Sequence, residues 1–172
     1  VQALRSPNLS ARYRAWTALV EMQSRARAEL ESMAADPNPR FRARALWVLA
    51  AIGDGAARAI KMALRDEAED VRLLALRIAR RHRLPVEPVV RRLVRDDSVL
   101  VRRECAVSLY QLDSPQSVQL WVKLALQHDG NDRWYLEALG IGEVGKEAAC
   151  LDAWLENTGN DWNSPAGHDI IW

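Results

Sequence analysis

"NPRFRARALWVLAAIG", residues 38–53, sets an arginine, Arg42, inside an otherwise apolar helical pattern. The same arrangement returns around Arg12 in "LSARYRAWTALVEM", around Arg72 in "EDVRLLALRIARRH" and around Arg102 in "VLVRRECAVSLYQL". These arginines stand 30 residues apart each time. A fixed period of that length is the signature of a repeat architecture, in which one supersecondary unit recurs along the chain.

Counting from each arginine exposes the unit. Three residues later stand Ala15, Ala45, Ala75 and Cys105. Six and seven later stand Ala18–Leu19, Val48–Leu49, Ile78–Ala79 and Ser108–Leu109, and ten later Met22, Ile52, His82 and Leu112. Those offsets trace one stripe of a 3.6-period helix. A second apolar set keeps the same period: Leu30, Ile60, Val90 and Leu120, with Ala34, Leu64, Val94 and Leu124 four residues on. Breakers lie between the two sets: Gly53 and Gly55, Pro85, Ser114 and Pro115. Each unit therefore reads as helix–turn–helix. One pair cannot bury its own stripes, so stacked pairs bury each other's, giving an all-α, α-solenoid chain of about five repeats.

Six residues before each arginine sits Asp36, Asp66 or Asp96, with Ser6 in the first cycle. That position predicts a cap for the oncoming helix. An aspartate there also predicts a charge-assisted bond to the arginine of an adjacent unit. The expectation is a structural ladder of Arg12, Asp36, Arg42, Asp66, Arg72, Asp96 and Arg102 along the seam between units. The fifth unit departs: Asp129 begins it three residues late, Tyr135 takes the arginine's place, and glycines follow Leu139. Residues 1–155 read as the repeat array. Residues 156–172 have no period and read as an ordered extension or a linker toward a missing domain.

The spacing of aspartate, arginine and small residues resembles the short form of HEAT repeats. That resemblance implies that the second helix of each pair lines the concave side. Longer phrases, "SPNLSARYRAW", "NPRFRARALWVLA", "VRDDSVLVRRECAVSL", "LALQHDGNDRWYLEALGIG" and "NSPAGHDIIW", resemble the helical middle section of large bacterial proteins termed membrane-bound dehydrogenases. Those proteins join a β-propeller, a HEAT section and a c-type cytochrome domain. The resemblance implies a connector inside a multidomain electron-transfer protein, and export to the periplasm or beyond. The chain begins at valine and reads as a segment of something longer.

Composition narrows the chemistry. Apolar residues make up 49% of the chain, enough for a core without disulfides. Net charge is +1 but uneven: residues 1–112 hold 21 basic and 13 acidic side chains, residues 113–172 hold 3 and 10. Such asymmetry suggests a directional partner surface. No C-x-x-C-H haem motif and no zinc framework occurs in the sequence, so no cofactor, metal or catalytic residue is assigned to this segment. The spacing of His128, Asp129 and Asp132 lacks a calcium-loop pattern, and Asp129 reads as a helix cap. No apolar run is long enough for a membrane helix, so no membrane insertion is assigned to the segment.

Rotating the helices by 100° per residue places Ala43, Trp47 and Ala50 opposite the buried stripe. The outward ridge then carries Tyr13, Trp47, Arg77, Arg80, Arg103 and Tyr110, side-chain types enriched at binding hot spots. The leading functional expectation is a non-catalytic scaffold or interdomain connector, whose partner is a protein. The alternative is a DNA-binding or DNA-repair enzyme of the alkylated-base glycosylase type on a HEAT-like solenoid. Against nucleic acid stand the acidic second half and the arginines assigned to the ladder.

Overall fold

The computed structural model describes residues 1–172, the side chain of Asn160 excepted. The chain is helical from end to end: α1 (Leu9–Met22), α2 (Arg27–Met33), α3 (Pro39–Ala50), α4 (Gly55–Ala63), α5 (Glu69–Arg81), α6 (Glu87–Leu93), α7 (Val99–Ser108), α8 (Pro115–Ala125), α9 (Arg133–Glu143), α10 (Glu147–Thr158) and α11 (Pro165–Ile171). Short 3-10 turns occupy Gln2–Arg5, Gln23–Ala26 and Gly159–Asn163. Within the repeats α3 packs on α4 and α7 on α8, as the period requires. The chain divides into two compact units, Val1–Leu84 and Pro85–Trp172. Each is a short stack of helices of the α-solenoid kind.

In the first unit, α3 is the centre: it packs on α2, α4 and α5. Leu30, Ala45, Leu49, Ile52, Ala75, Leu76 and Ile78 are fully buried there. Each large aliphatic side chain so buried stabilises by about 1.5–3 kcal/mol relative to exposure. The predicted stripe holds in α3 and α5, and its small residue three after the arginine is buried in both. α1 keeps only Leu19 buried, while Ala18 and Met22 face solvent. His82 is the exposed C-cap of α5 rather than a stripe residue. In the second unit α7 packs on α9, and α8 on α9 and α10. Trp121 donates its indole N–H to the Leu139 carbonyl at 2.9 Å, and Tyr135 donates its hydroxyl to the Leu124 carbonyl at 3.0 Å. Gly142 permits the close approach of α9 to α7, since a Cβ there would run into the Ala106 carbonyl.

The turn within each repeat contains one residue of positive φ. Gln23, Gly53, Arg83, Gln111 and Gly145 all take positive φ, between 49° and 86°. This is left-handed backbone, which favours glycine. Only two of the five positions carry glycine, so the positive-φ residue itself shows in composition at two turns of five.

The loop between pairs is where the arginines act. Arg42 Nη1 donates to the carbonyls of Asp36 and Pro37, both at 3.0 Å. Arg12 does the same to Ser6 and Pro7, Arg72 to Asp66 and Glu67, and Arg102 to Asp96 and Asp97. In all four cycles the guanidinium clamps its own loop, five and six residues back. Arg42 also reaches the next repeat of the same unit: its Nε and Nη2 grip Asp66 at 2.8 and 2.6 Å, with both side chains about nine-tenths buried. Arg72 and Asp96 belong to different units.

Several ladder expectations need correction. Asp36, Asp66 and Asp96 do not cap helices. Each carboxylate accepts the backbone N–H two residues on, at Asn38, Ala68 and Ser98. The caps are Asn8, Asn38 and Ser98, and the N-cap position of α5 is Ala68, which has no side-chain cap bond. Asp129 likewise bonds Asn131 N, while Asp132 caps α9. Asp36 is taken by Arg5 at 2.5 Å, not by Arg12. Arg102 lies over the Tyr135 ring at 5.7 Å, a cation–π contact that replaces a carboxylate at the end of the series.

Candidate functional site

Within the first unit an open groove of about 520 Å³ runs between α1 and α3. Leu4, Leu9, Tyr13, Trp16, Ala43, Trp47, Val48 and Leu74 supply its apolar lining, and Arg12 and Arg44 its charge. Tyr13 and Trp16, one helical turn apart, stack at 6.4 Å with 20° between their planes. Tyr13 is 66% exposed and Trp47 37%, large values for aromatic rings in a folded helix pair. A groove of this size and lining is the normal form of a binding site.

The two arginines are oriented by main-chain oxygen. Arg12 is clamped by its own loop, as above. Arg44 Nη1 donates to the Leu4 carbonyl at 2.8 Å, and its guanidinium stands 5.5 Å from the centre of the Phe41 ring. Arg5 lies over the same ring at 4.9 Å. Burial, then the neighbouring charges of Arg12 and Arg40, lower the pKa of Arg44 below the ordinary arginine value. The indole N–H of Trp16 is buried and has no hydrogen-bond partner among the described residues.

The predicted ridge is thus distributed over both units. Tyr13 and Trp47 line the groove, whereas Ala50, expected outward, is buried against the stack. Arg77 is exposed and Arg80 half-buried in the same unit. Arg103, in the second unit, grips both oxygens of Asp132 at 2.7 and 2.6 Å, so its role there is to brace the α9 cap. Tyr110 is exposed near the end of that repeat's first helix. Sequence reasoning did not place Leu4, Leu9, Trp16, Arg44 or Leu74 in a binding site. The one available signal was the Tyr13–Trp16 spacing, which stacks two aromatics on one face.

Elsewhere the chemistry-bearing side chains serve the fold. His128 is buried, stacks on Tyr135, and meets Asp169 of α11 at 2.9 Å, which ties residues 165–171 to the α8–α9 turn. Lys146, buried at the start of α10, donates to the carbonyls of Leu109 and Gly142 at 2.9 and 2.6 Å. It closes the C-terminal ends of α7 and α9, where a cation opposes the helix dipole. Cys105 and Cys150 are buried free thiols, and burial pushes the Cys150 pKa up to about 12. Thiols so far from ionisation are poor nucleophiles. No group of three metal-ligating side chains occurs among the described residues, and no helix there is long and apolar enough to cross a membrane.

A family model described as HEAT repeats matches residues 1–62 and 56–140. A search of curated proteins finds no match to the chain.

Proposed function

The chain belongs to the HEAT-repeat family, and we propose that it is a non-catalytic protein-binding scaffold that docks a partner in the α1–α3 groove. The observation that carries this reading is the groove itself: three aromatic rings line an open apolar surface on a rigid helix pair. HEAT arrays build such extended surfaces from stacked helices, and aromatic anchors dominate binding energy at protein interfaces.

The finer reading is a connector within a multidomain, exported, cytochrome-linked dehydrogenase, docking a neighbouring domain of its own gene product. Its support is the resemblance of the five quoted phrases to the middle section of such proteins. The DNA reading draws only on the basic first unit. There Arg5, Arg27, Arg42 and Arg58 are already engaged by Asp36, Asp54, Asp66 and Glu31.

The test is a calorimetric titration of the chain with the separately produced domains that flank it in its gene product. Binding is expected, and Trp47→Ala with Tyr13→Ala should weaken it at least tenfold while leaving the melting temperature unchanged. Each decade corresponds to about 1.4 kcal/mol, within the range one buried aromatic supplies. Unchanged affinity in the double variant would place docking elsewhere.

A further inference from the structure

Resting on the groove as the docking site, we propose that its occupant is a peptide segment pairing a bulky apolar side chain with an aspartate or glutamate, whose carboxylate is received between Arg12 and Arg44.

The arginines that tie helix pairs together in the first unit each hold a carboxylate. Arg42 holds Asp66, Arg27 holds Asp54, Arg58 holds Glu31, and Arg5 holds Asp36. Arg12 and Arg44 differ. Their bonds go to main-chain carbonyls, from Nη1 alone in each case, and neither has a carboxylate partner among the described residues. A guanidinium carries five N–H donors in a planar fork suited to carboxylate oxygens. Each of these two keeps donors in hand while its carbonyl bonds fix its position. Both line the same groove, and after burial the charge of Arg12 is the next cause that lowers the pKa of Arg44. An anion between them would offset that charge.

The apolar half of the occupant follows from the lining. Leu9, Tyr13, Trp16, Trp47 and Leu74 offer a surface for one bulky aliphatic or aromatic anchor beside the arginines. Charge over the whole unit agrees. Residues 1–84 hold 16 basic and 9 acidic side chains, a balance that attracts acidic partners and accelerates their encounter. The groove is open along its length rather than closed over, which suits a segment of chain better than an enclosed small molecule.

The experiment starts from a phage-displayed peptide library selected on the full chain and counter-selected on Trp47→Ala. Selected peptides are expected to combine Asp or Glu with Trp, Phe, Leu or Ile at a fixed spacing. In fluorescence-anisotropy titrations of one such peptide, Glu→Gln in the peptide should cost at least tenfold in affinity. Arg44→Gln in the protein should cost as much, and the two losses should not multiply when combined. Affinity for the acidic peptide should also fall as salt rises. The peptide-side change needs no protein variant, so a poorly folded Arg44→Gln would not rescue the idea. Selected peptides without acidic residues, or equal affinity of the Glu and Gln forms, would overturn the carboxylate pairing while leaving the groove as a docking site. No enrichment at all would overturn both. Decanoate displacing the peptide with equal or better affinity would reassign the groove to small anionic amphiphiles and overturn the peptide proposal.

Discussion

Arg42→Ala should be among the most damaging single substitutions in the first unit, and the structure says by how much. The change removes two bonds to Asp66, at 2.8 and 2.6 Å, and two to the Asp36 and Pro37 carbonyls, at 3.0 Å. What remains is worse than what is lost. The Asp66 carboxylate stays about nine-tenths buried, with the Ala68 N–H at 2.9 Å as its remaining bond among those described here. The nearby Glu67 is largely exposed and adds a second negative charge. Breaking a buried pair on one side costs about 3–5 kcal/mol, because the other charge is stranded. At roughly 2–4 °C per kcal/mol for a chain of this size, the melting temperature should drop by about 6–20 °C. Arg12→Ala is the control. It removes the same loop clamp but strands no carboxylate, and should cost about 1 kcal/mol. Asp66→Asn added to Arg42→Ala keeps the turn acceptor and deletes the stranded charge, so the double variant should recover part of the loss. Urea and thermal melts followed by circular dichroism report all four proteins. If Arg42→Ala costs no more than Arg12→Ala, or if Asp66→Asn deepens the damage, the stranded-charge argument is wrong.

Two further outcomes concern the second unit. Gly142→Ala forces a methyl group into the Ala106 carbonyl, and should destabilise by about 1–3 kcal/mol through overpacking, measured as a shift in urea midpoint at unchanged m-value. Lys146→Met should change how stability depends on alkaline pH. Burial lowers the pKa of Lys146 in the fold, so the unfolded chain binds that proton more tightly. The wild type therefore carries its full penalty below the depressed folded value, and gains stability as pH climbs from there toward the ordinary lysine value. In Lys146→Met that gain should vanish. Urea midpoints of the two proteins between about pH 8 and pH 10 give the comparison, and parallel curves would show that Lys146 titrates alike folded and unfolded.

What the sequence disclosed depends on how locally each feature is encoded. The helix pairs were readable because apolar periodicity is a sum over many residues, and Leu30, Ile60, Val90 and Leu120 are all buried where the period put them. The turns were only partly readable. Gln23, Arg83 and Gln111 adopt the same left-handed backbone as Gly53, imposed by the helices on either side rather than by their own preference. The aspartates were placed correctly and misassigned in role. A carboxylate two residues before a cap and the cap itself look alike in composition, and only the backbone distinguishes an acceptor for Asn38 N from one for the helix. The groove was half visible: rotation about the helix axis found Tyr13 and Trp47. Arg44 and Leu74 entered only through packing of α1, α3 and α5, which no single helix records.

The arginine that opens the pattern also accounts for the donors on which the proposed docking relies. In the first four repeats an arginine at this position holds its own loop carbonyls, so the fold supplies a guanidinium each 30 residues whether or not a carboxylate faces it. Arg42 spends its remaining donors on Asp66, and Arg102 turns its face to Tyr135. At Arg12 the corresponding aspartate, Asp36, has gone to Arg5. A structural residue is thereby left with unused donors, beside the aromatic rings that line the open apolar groove between α1 and α3. In the proposed docking, loss of a single ladder partner turns a stacking residue into half of a carboxylate site, and Arg44, held by the Leu4 carbonyl, supplies the other half.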